Sequence, residues 1–490
     1  MMNEQVGGDR SYLPDPITRE EPGLDSDCLE VTVDIEASDM EVEDEREWHA
    51  DELFGREDSA KICKLDKETD VIQAVTIGPY HRNCEHQVIF DDEYKRAVTR
   101  YIAKRWKKFD RRIYLDAMAE KEMEAREYYK DMFPQVKNSE FLEMLLLDSS
   151  FILFVLDASG NQELDASGNK ELRPYDKYRM EYLALLVKVK ASIMQIKIDL
   201  LTLDNQIPFF AVEQLYVISH IGKADYYNYD LQEKVRALVL SGFDDRYPEK
   251  NQDKSADLWV PDFRHLLHLF HWSRVPADKY GSDYGIRRPP KDVVLNIPSA
   301  TELQKCGMTL KKKTSGSFLD ITIQDSVTKL WGKMSIPTVH LDDYSRELFR
   351  NLIAFEMNFS RNGRCVMAYC KCMSRILQHK DDVKLLRDEG LVASTSYKDA
   401  DFIKFFNHFN KQVKNQSMPE DLYVLYANVG KHHKRWISNY FGRMKLQYFP
   451  NWWVRLSIIA GTVLFLFNLL QTIYSLLGYY KTTQPFIIAI

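Results

Sequence analysis

Apolar and polar positions along this chain recur mostly with the period of a helix. Residues 91–110 set Tyr94, Val98, Tyr101, Ile102 and Arg105 at helical spacing, and 112–130 continue as a second helix rich in Glu, Lys, Met and Tyr. Residues 139–156 pass from a polar cap region, Ser139 to Glu143, into a run apolar on every side, which predicts a buried helix. Helix resumes over 181–203, breaks from Asn205 to Pro208, and restarts through Tyr216. Further helices are expected at 265–272, 343–356, 365–378, 381–388 and 399–415, with a last amphipathic stretch over 420–445. Two regions depart from this period. Val71, Val75 and Ile77 suit a short strand ended by Gly78-Pro79. VVLNIP, MTLKKK, SFLDITIQ and MSIPTVHL, within 293–341, predict a small sheet of two to four strands. Between helices, DASGNQEL (157–164) is copied as DASGNKEL (165–172), which reads as a duplicated surface loop.

One segment is different in kind. Residues 456–480, from Leu456 to Tyr480, carry no charge, and their length exceeds the ~20 residues needed to cross a bilayer. Trp452 and Trp453 precede them and Tyr479 and Tyr480 end them, as interfacial aromatics do. Asn468 and Gln471 are the polar exceptions within the span. Basic residues gather before it (Lys431, Lys434, Arg435, Arg443, Lys445, Arg455), and only Lys481 follows. This bias predicts a cytoplasmic N-terminal body. MMNEQVGGDRSYLPDP has no apolar core of a signal peptide, so a single-pass, tail-anchored arrangement is expected, with the last ten residues lumenal or extracellular. Plasma membrane and endomembrane stay open. Ser457 and Gly461 form a small-xxx-small pair that would let two spans approach, so a homodimer through this helix is one expected association.

Composition narrows the class. The chain has 490 residues, 45% hydrophobic and 28% charged, an ordinary globular mixture that excludes collagen-like and disulfide-scaffold proteins. A mean hydropathy of -0.40 excludes a many-spanned membrane protein. The net charge of -7 conceals an asymmetry. Residues 1–70 hold 23 Asp and Glu against 7 Lys and Arg, while the rest is mildly basic. An acidic, proline-bearing head of this kind is expected to be disordered, and the body is too weakly basic to suggest nucleic acid as a partner. Seven cysteines without a CxxC pair suggest reduced, structural thiols.

No phosphate-binding glycine loop, HExxH, GxSxG or kinase motif occurs. An enzyme is therefore not expected, nor any cofactor or metal. His81, Cys84 and His86 in HRNCEH, and His265, His268 and His271, are read as packed or solvated histidines rather than ligands. The stretch Asp204-Asn205-Gln206-Ile207-Pro208-Phe209-Phe210 is read as structural, with Pro208 opening the next helix, Asp204 and Asn205 capping its N–H groups, and both Phe packing inward. Two rivals stay open: an unfamiliar active site around His81 and Asp204, and a scaffold binding anionic lipids through 431–455.

Several stretches in order carry a family resemblance: VTIGPYH (75–81), FLEMLLLDSSFIL (141–153), DLLTLDNQIPFF (199–210), HLLHLF (265–270), IPSATELQKCGM (297–308), SFLDITI (317–323) and IPTVHLDDYSRELFRNLIAFE (336–356), with the terminal membrane helix. Together they resemble the plant family known as domain of unknown function 247, over roughly 70–480. Arg82-Asn83 replaces the family's frequent His or Gly after the first box, Asp204 replaces its usual Glu, and the tandem repeat is not part of the pattern. The resemblance implies a helical domain, a C-terminal anchor and no established enzymatic activity. The absence of a catalytic constellation and the anchored layout favour an interaction protein with an unknown protein partner. One grass branch of that family is implicated as the pollen-side determinant of self-incompatibility, and a long acidic N-terminal extension is compatible with it. The expected fold is thus mainly α. A disordered acidic region (1–69) precedes a large helical domain (70–450, with the small β-sheet insert near 293–341). Juxtamembrane aromatics and one transmembrane helix (451–480) follow, then a short tail (481–490). Gly78, Pro79, Tyr80, His81, Asp204, Asn205, Gln206 and Pro208 are its expected structural motif residues.

Overall fold

The computed structural model describes residues 61–64, 73–82, 88–159, 179–225, 228–244, 262–275, 286–287, 297–313, 317, 319, 321–325, 332–359, 364–393, 397–412, 418–419, 426–430, 440, 443 and 452–483. All lie in one compact unit, Gly55–Ile490. The protein is mainly α. In chain order the elements are α1 (Asp92–Arg105), α2 (Arg111–Glu120), α3 (Glu122–Glu127), α4 (Asn138–Ser159), α5 (Arg179–Ala191), α6 (Ile193–Asp199), α7 (Phe209–Ile221), α8 (Tyr229–Gly242) and α9 (Leu266–Arg274). Then come β1 (Ile286–Arg287), α10 (Ala300–Lys305), β2 (Met308–Lys313), β3 (Thr322–Asp325), β4 (Gly332–Pro337), α11 (Ser345–Asn358), α12 (Cys365–Ile376), α13 (Lys380–Asp388), α14 (Asp399–Gln412), β5 (Met418–Pro419) and α15 (Trp452–Thr483).

Helix α4 is the central pillar of the first half. It is apolar all round and buried from Met144 to Leu156, because α1, α2, α5, α7 and α8 pack around it. Of its neighbours, α1 and α2 are amphipathic and begin with side-chain caps: Asp91 accepts from Tyr94 N at the start of α1, and Asp110 from Arg112 N at the start of α2. The second half packs α11 on α12 and α12 and α13 on α14. Its aromatic seam sets Phe349 against Phe405 and Tyr369 against Phe406. A three-stranded sheet in the order β2-β4-β3 adjoins it, with β2 parallel and β3 antiparallel to the central β4. Met308, Leu310, Met334 and Ile336 alternate inward from it. A two-residue pairing joins β1 to β5.

Several local expectations change. Residues 73–80 form no strand: Val75 makes only an isolated bridge to Phe90. The helix expected over 112–130 breaks at Lys121, and that over 181–203 breaks at Ser192. Ordered chain also starts earlier than residue 70. Ile62 is buried, donates its N–H to Tyr128 and accepts from Lys130 N, a pairing whose partner lies far along the chain. Residues 1–60, the repeat loop from 160 onward, most of 420–450 and 484–490 lie outside the described residues, so the expectations placed there do too.

Helix α15 runs past both ends of the expected span, and its stretch Trp452–Tyr479 is long and apolar enough to cross a membrane, with a mean hydropathy of 1.9 and none of it buried in the protein. Trp452, Trp453, Leu456, Gly461 and Asn468 are exposed on it, and Tyr480 falls within the helix. Arg443 is exposed, whereas Lys445 and the Arg455 side chain lie outside the described set.

Candidate functional site

The chain brings its two most distinctive boxes, 75–81 and 199–210, together beside Asp148 of α4. The first box has the apolar alternation of a strand, but its backbone bonds to side chains instead of to a neighbouring strand. Asp199 Oδ2 accepts from Ala74 N at 2.6 Å and Val75 N at 3.0 Å. Asn205 Oδ1 accepts from Ile77 N at 2.7 Å, and its Nδ2 donates to Val75 O and Asp199 O. Asp148 Oδ2 accepts from Gly78 N at 2.8 Å. Buried amide groups left unpaired are costly, so these side chains replace a missing strand neighbour.

The same carboxylate anchors a buried charge cluster. Lys95 Nζ sits 2.6 Å from Asp148 Oδ1 and also donates to Thr76 O at 2.5 Å; both side chains are fully enclosed. Arg82 Nη1 reaches Asp148 Oδ2 at 3.1 Å, while its Nη2 and Nε grip Asp92 at 2.6 and 3.1 Å. Burial works against the Arg82 charge, but Asp148 and Asp92 outweigh it and hold the guanidinium above its ordinary range. The four formal charges cancel, and Arg82 and Asp92 carry the enclosed Lys95–Asp148 pair out to a partly exposed edge, which offsets its desolvation.

On the other side of the first box, His81 Nε2 lies 3.0 Å from Asp204 Oδ2, with side-chain exposures of 3% and 1%. A pair this enclosed offers solvent no face. Asp204 and Asn205 do not cap α7; Pro208 opens that helix with no side-chain cap. Asn205 turns back to the first box, and Asp204 meets His81, because tertiary partners outcompete the local cap. Phe209 is buried, whereas Phe210 is half-buried, edge-on to Tyr128. Gln206 closes its own turn by donating to Leu200 O and Thr202 O, and Tyr129 donates to Gln206 O. Gly78 has φ +73, and a Cβ there would stand 2.3 Å from Gln206 O, so only glycine allows the two boxes this approach. Tyr80 sits edge-on to Phe133 at 4.7 Å and donates to Ile62 O, tying in the segment before the box.

The second histidine group is structural in its contacts. His265 Nδ1 accepts from His268 N at the start of α9, and His268 Nδ1 accepts from Arg264 N. Burial, then Arg264, push His265 down to about 3, so it is neutral. His271 Nε2 lies 2.9 Å from Glu356 Oε1, and that carboxylate also accepts from Val366 N and Met367 N, capping α12 from another helix. Among the described residues no three His, Cys, Asp or Glu converge as a metal set; Cys84 and His86 lie outside them. Elsewhere Glu213 of α7 is pushed up to about 7 by burial, against the opposing pull of Arg236 2.8 Å away.

Sequence reasoning named His81 and the 204–208 stretch but missed Asp148, Lys95, Asp199 and Glu356. One signal was present: a lone carboxylate inside LLLDSSFIL cannot be buried without a cationic or N–H partner.

The family model DUF247, described as plant protein of unknown function, matches residues 62–467. The chain is 24% identical to the UPF0481 protein At3g47200 of Arabidopsis thaliana over 83% of each chain. It is 26% identical to the putative UPF0481 protein At3g02645 of the same plant, over 38% of this chain and 34% of that one. No solved structure matches it.

Proposed function

The chain belongs to the plant DUF247 family, and from that premise we propose that it is a single-pass, membrane-anchored interaction protein whose helical body meets a protein partner on the cytoplasmic side. The observation that carries this reading is α15: an apolar 28-residue stretch with no part buried has no reason to persist in water. Its aromatic start at Trp452 and Trp453 suits an interface. A recognition role in place of catalysis is supported by the enclosure of His81 and Asp204, the pair on which the rival enzymatic reading rests. The acidic stretch 1–70 and the tandem repeat 157–172 are the parts of the sequence that a partner would read. A role as pollen-side determinant of self-incompatibility is the narrower form; it requires that replacing this gene's allele change the outcome of a cross.

Protease protection of sealed membranes, with a tag at each end of the full chain, tests the arrangement. Digestion of the body with the C-terminal tag protected is expected. Two sequons, Asn358-Phe359-Ser360 and Asn415-Gln416-Ser417, serve as internal reporters. Asn358 is exposed at the end of α11, so it would be glycosylated if the body were lumenal. A protected, glycosylated body would overturn the orientation, and extraction of the chain by alkaline carbonate would overturn the anchor.

A further inference from the structure

Ser457, Gly461, Leu464, Asn468, Gln471 and Ser475 follow one another along α15 at alternating spacings of four and three residues. That is the seam of a left-handed helix pair, where every knob faces the partner. At about 100° per residue they fill one narrow face, and Ile459, Leu466, Leu470 and Leu477 lie opposite. The ends of the seam are small, and a Cβ added at Gly461 would meet nothing within 4 Å. Its centre carries two carboxamides, one turn apart. Asn468 sits within about 4 Å of the middle of Trp452–Tyr479 along the axis. Both amides are exposed on the helix, with no hydrogen-bond partner among the described residues.

In hydrocarbon such groups need a protein partner, because lipid chains offer none. A carboxamide both donates and accepts, so two identical amides at one depth satisfy each other. A second copy inserted in the same direction places Asn468 against Asn468 and Gln471 against Gln471 automatically. We propose that α15 pairs in parallel with α15 of a second copy of this chain through the Asn468–Gln471 seam. This rests on the membrane reading above and adds to it the partner of the anchor.

The test uses the full chain in lipid vesicles. Donor- and acceptor-labelled protein diluted with lipid gives the self-association constant by energy transfer. Asn468→Leu with Gln471→Leu should weaken it by on the order of tenfold, the loss of two interhelical amide contacts. Both changes raise apolarity, so insertion is not compromised. Oxidation of Ser475→Cys should give a covalent dimer, and Leu477→Cys on the opposite face should give only the wild-type background. A monomer at every lipid dilution, association unchanged by the double leucine variant, or cross-linking at Leu477 would each overturn the proposal. Carbonate extraction, run in parallel, separates this failure from failure of the anchor itself.

Discussion

Asp148→Asn is the sharpest probe of the buried junction. The change removes one charge and almost no volume. It leaves Lys95, whose side chain is fully enclosed, with Thr76 O as its remaining acceptor, and leaves Arg82 with Asp92 as its one carboxylate. An amide oxygen that stays on Gly78 N also stays on Arg82 Nη1, but the NH2 group then faces the Lys95 ammonium, donor against donor. Breaking one partner out of a buried ion pair costs about 3–5 kcal/mol, because the other charge stays desolvated. That is a large share of the ~5–15 kcal/mol that holds a domain folded. Removing both members, Asp148→Leu with Lys95→Met, should recover part of the loss, since no uncompensated charge remains. Recovery stays incomplete because Gly78 N–H then lacks its acceptor, at about 1–3 kcal/mol. Urea unfolding of the full chain in mild detergent, followed by tryptophan fluorescence, measures the wild type, Asp148→Asn, the double variant and its two single changes, Asp148→Leu and Lys95→Met. The reasoning fails if Asp148→Asn loses less than about 1 kcal/mol, or if the double variant is as unstable as the sum of its two single changes.

Other outcomes follow from the same contacts. Gly78→Ala should lose about 2–5 kcal/mol, from its left-handed φ and the approach to Gln206 O, with ordinary stability in the same urea assay as the refuting result. Glu213 provides a pH test. Its carboxyl is raised from 4.5 to about 7 in the folded protein, so the native state binds a proton that the unfolded chain has released. The stability this contributes is full below about 4.5 and is lost as pH rises through about 7, on the order of 3 kcal/mol in all. Glu213→Gln should flatten that part of the stability-against-pH curve, and parallel curves for the two proteins would refute it. His81→Ala and Asp204→Asn should lower folded yield and any in-plant phenotype together; loss of phenotype at full yield would instead favour a catalytic pair.

What the sequence by itself determined is local and periodic. Helices α11 to α14 were legible because their apolar spacing repeats at the helical period, and α4 and α7 because their apolar runs are too long for a buried strand. The membrane-length segment was legible for a stronger reason: twenty-five uncharged residues need no partner to declare themselves. The small sheet was visible as β-branched runs, but its order was not, since parallel β2 and β4 are joined only after β3 has been passed. Only the tertiary structure decided what the two boxes do. Val75 and Ile77 alternate as a strand should, yet their N–H groups go to Asp199 and Asn205, more than a hundred residues away. Asp204 and Asn205 stand where a helix cap belongs, yet His81 and the first box claim them. A side-chain cap competes with any better partner the fold delivers, and a single sequence carries no record of which distant residue arrives. Asp148 shows both halves of this. Its place inside an apolar run announced that a partner must exist, and packing of α1 against α4 chose Lys95.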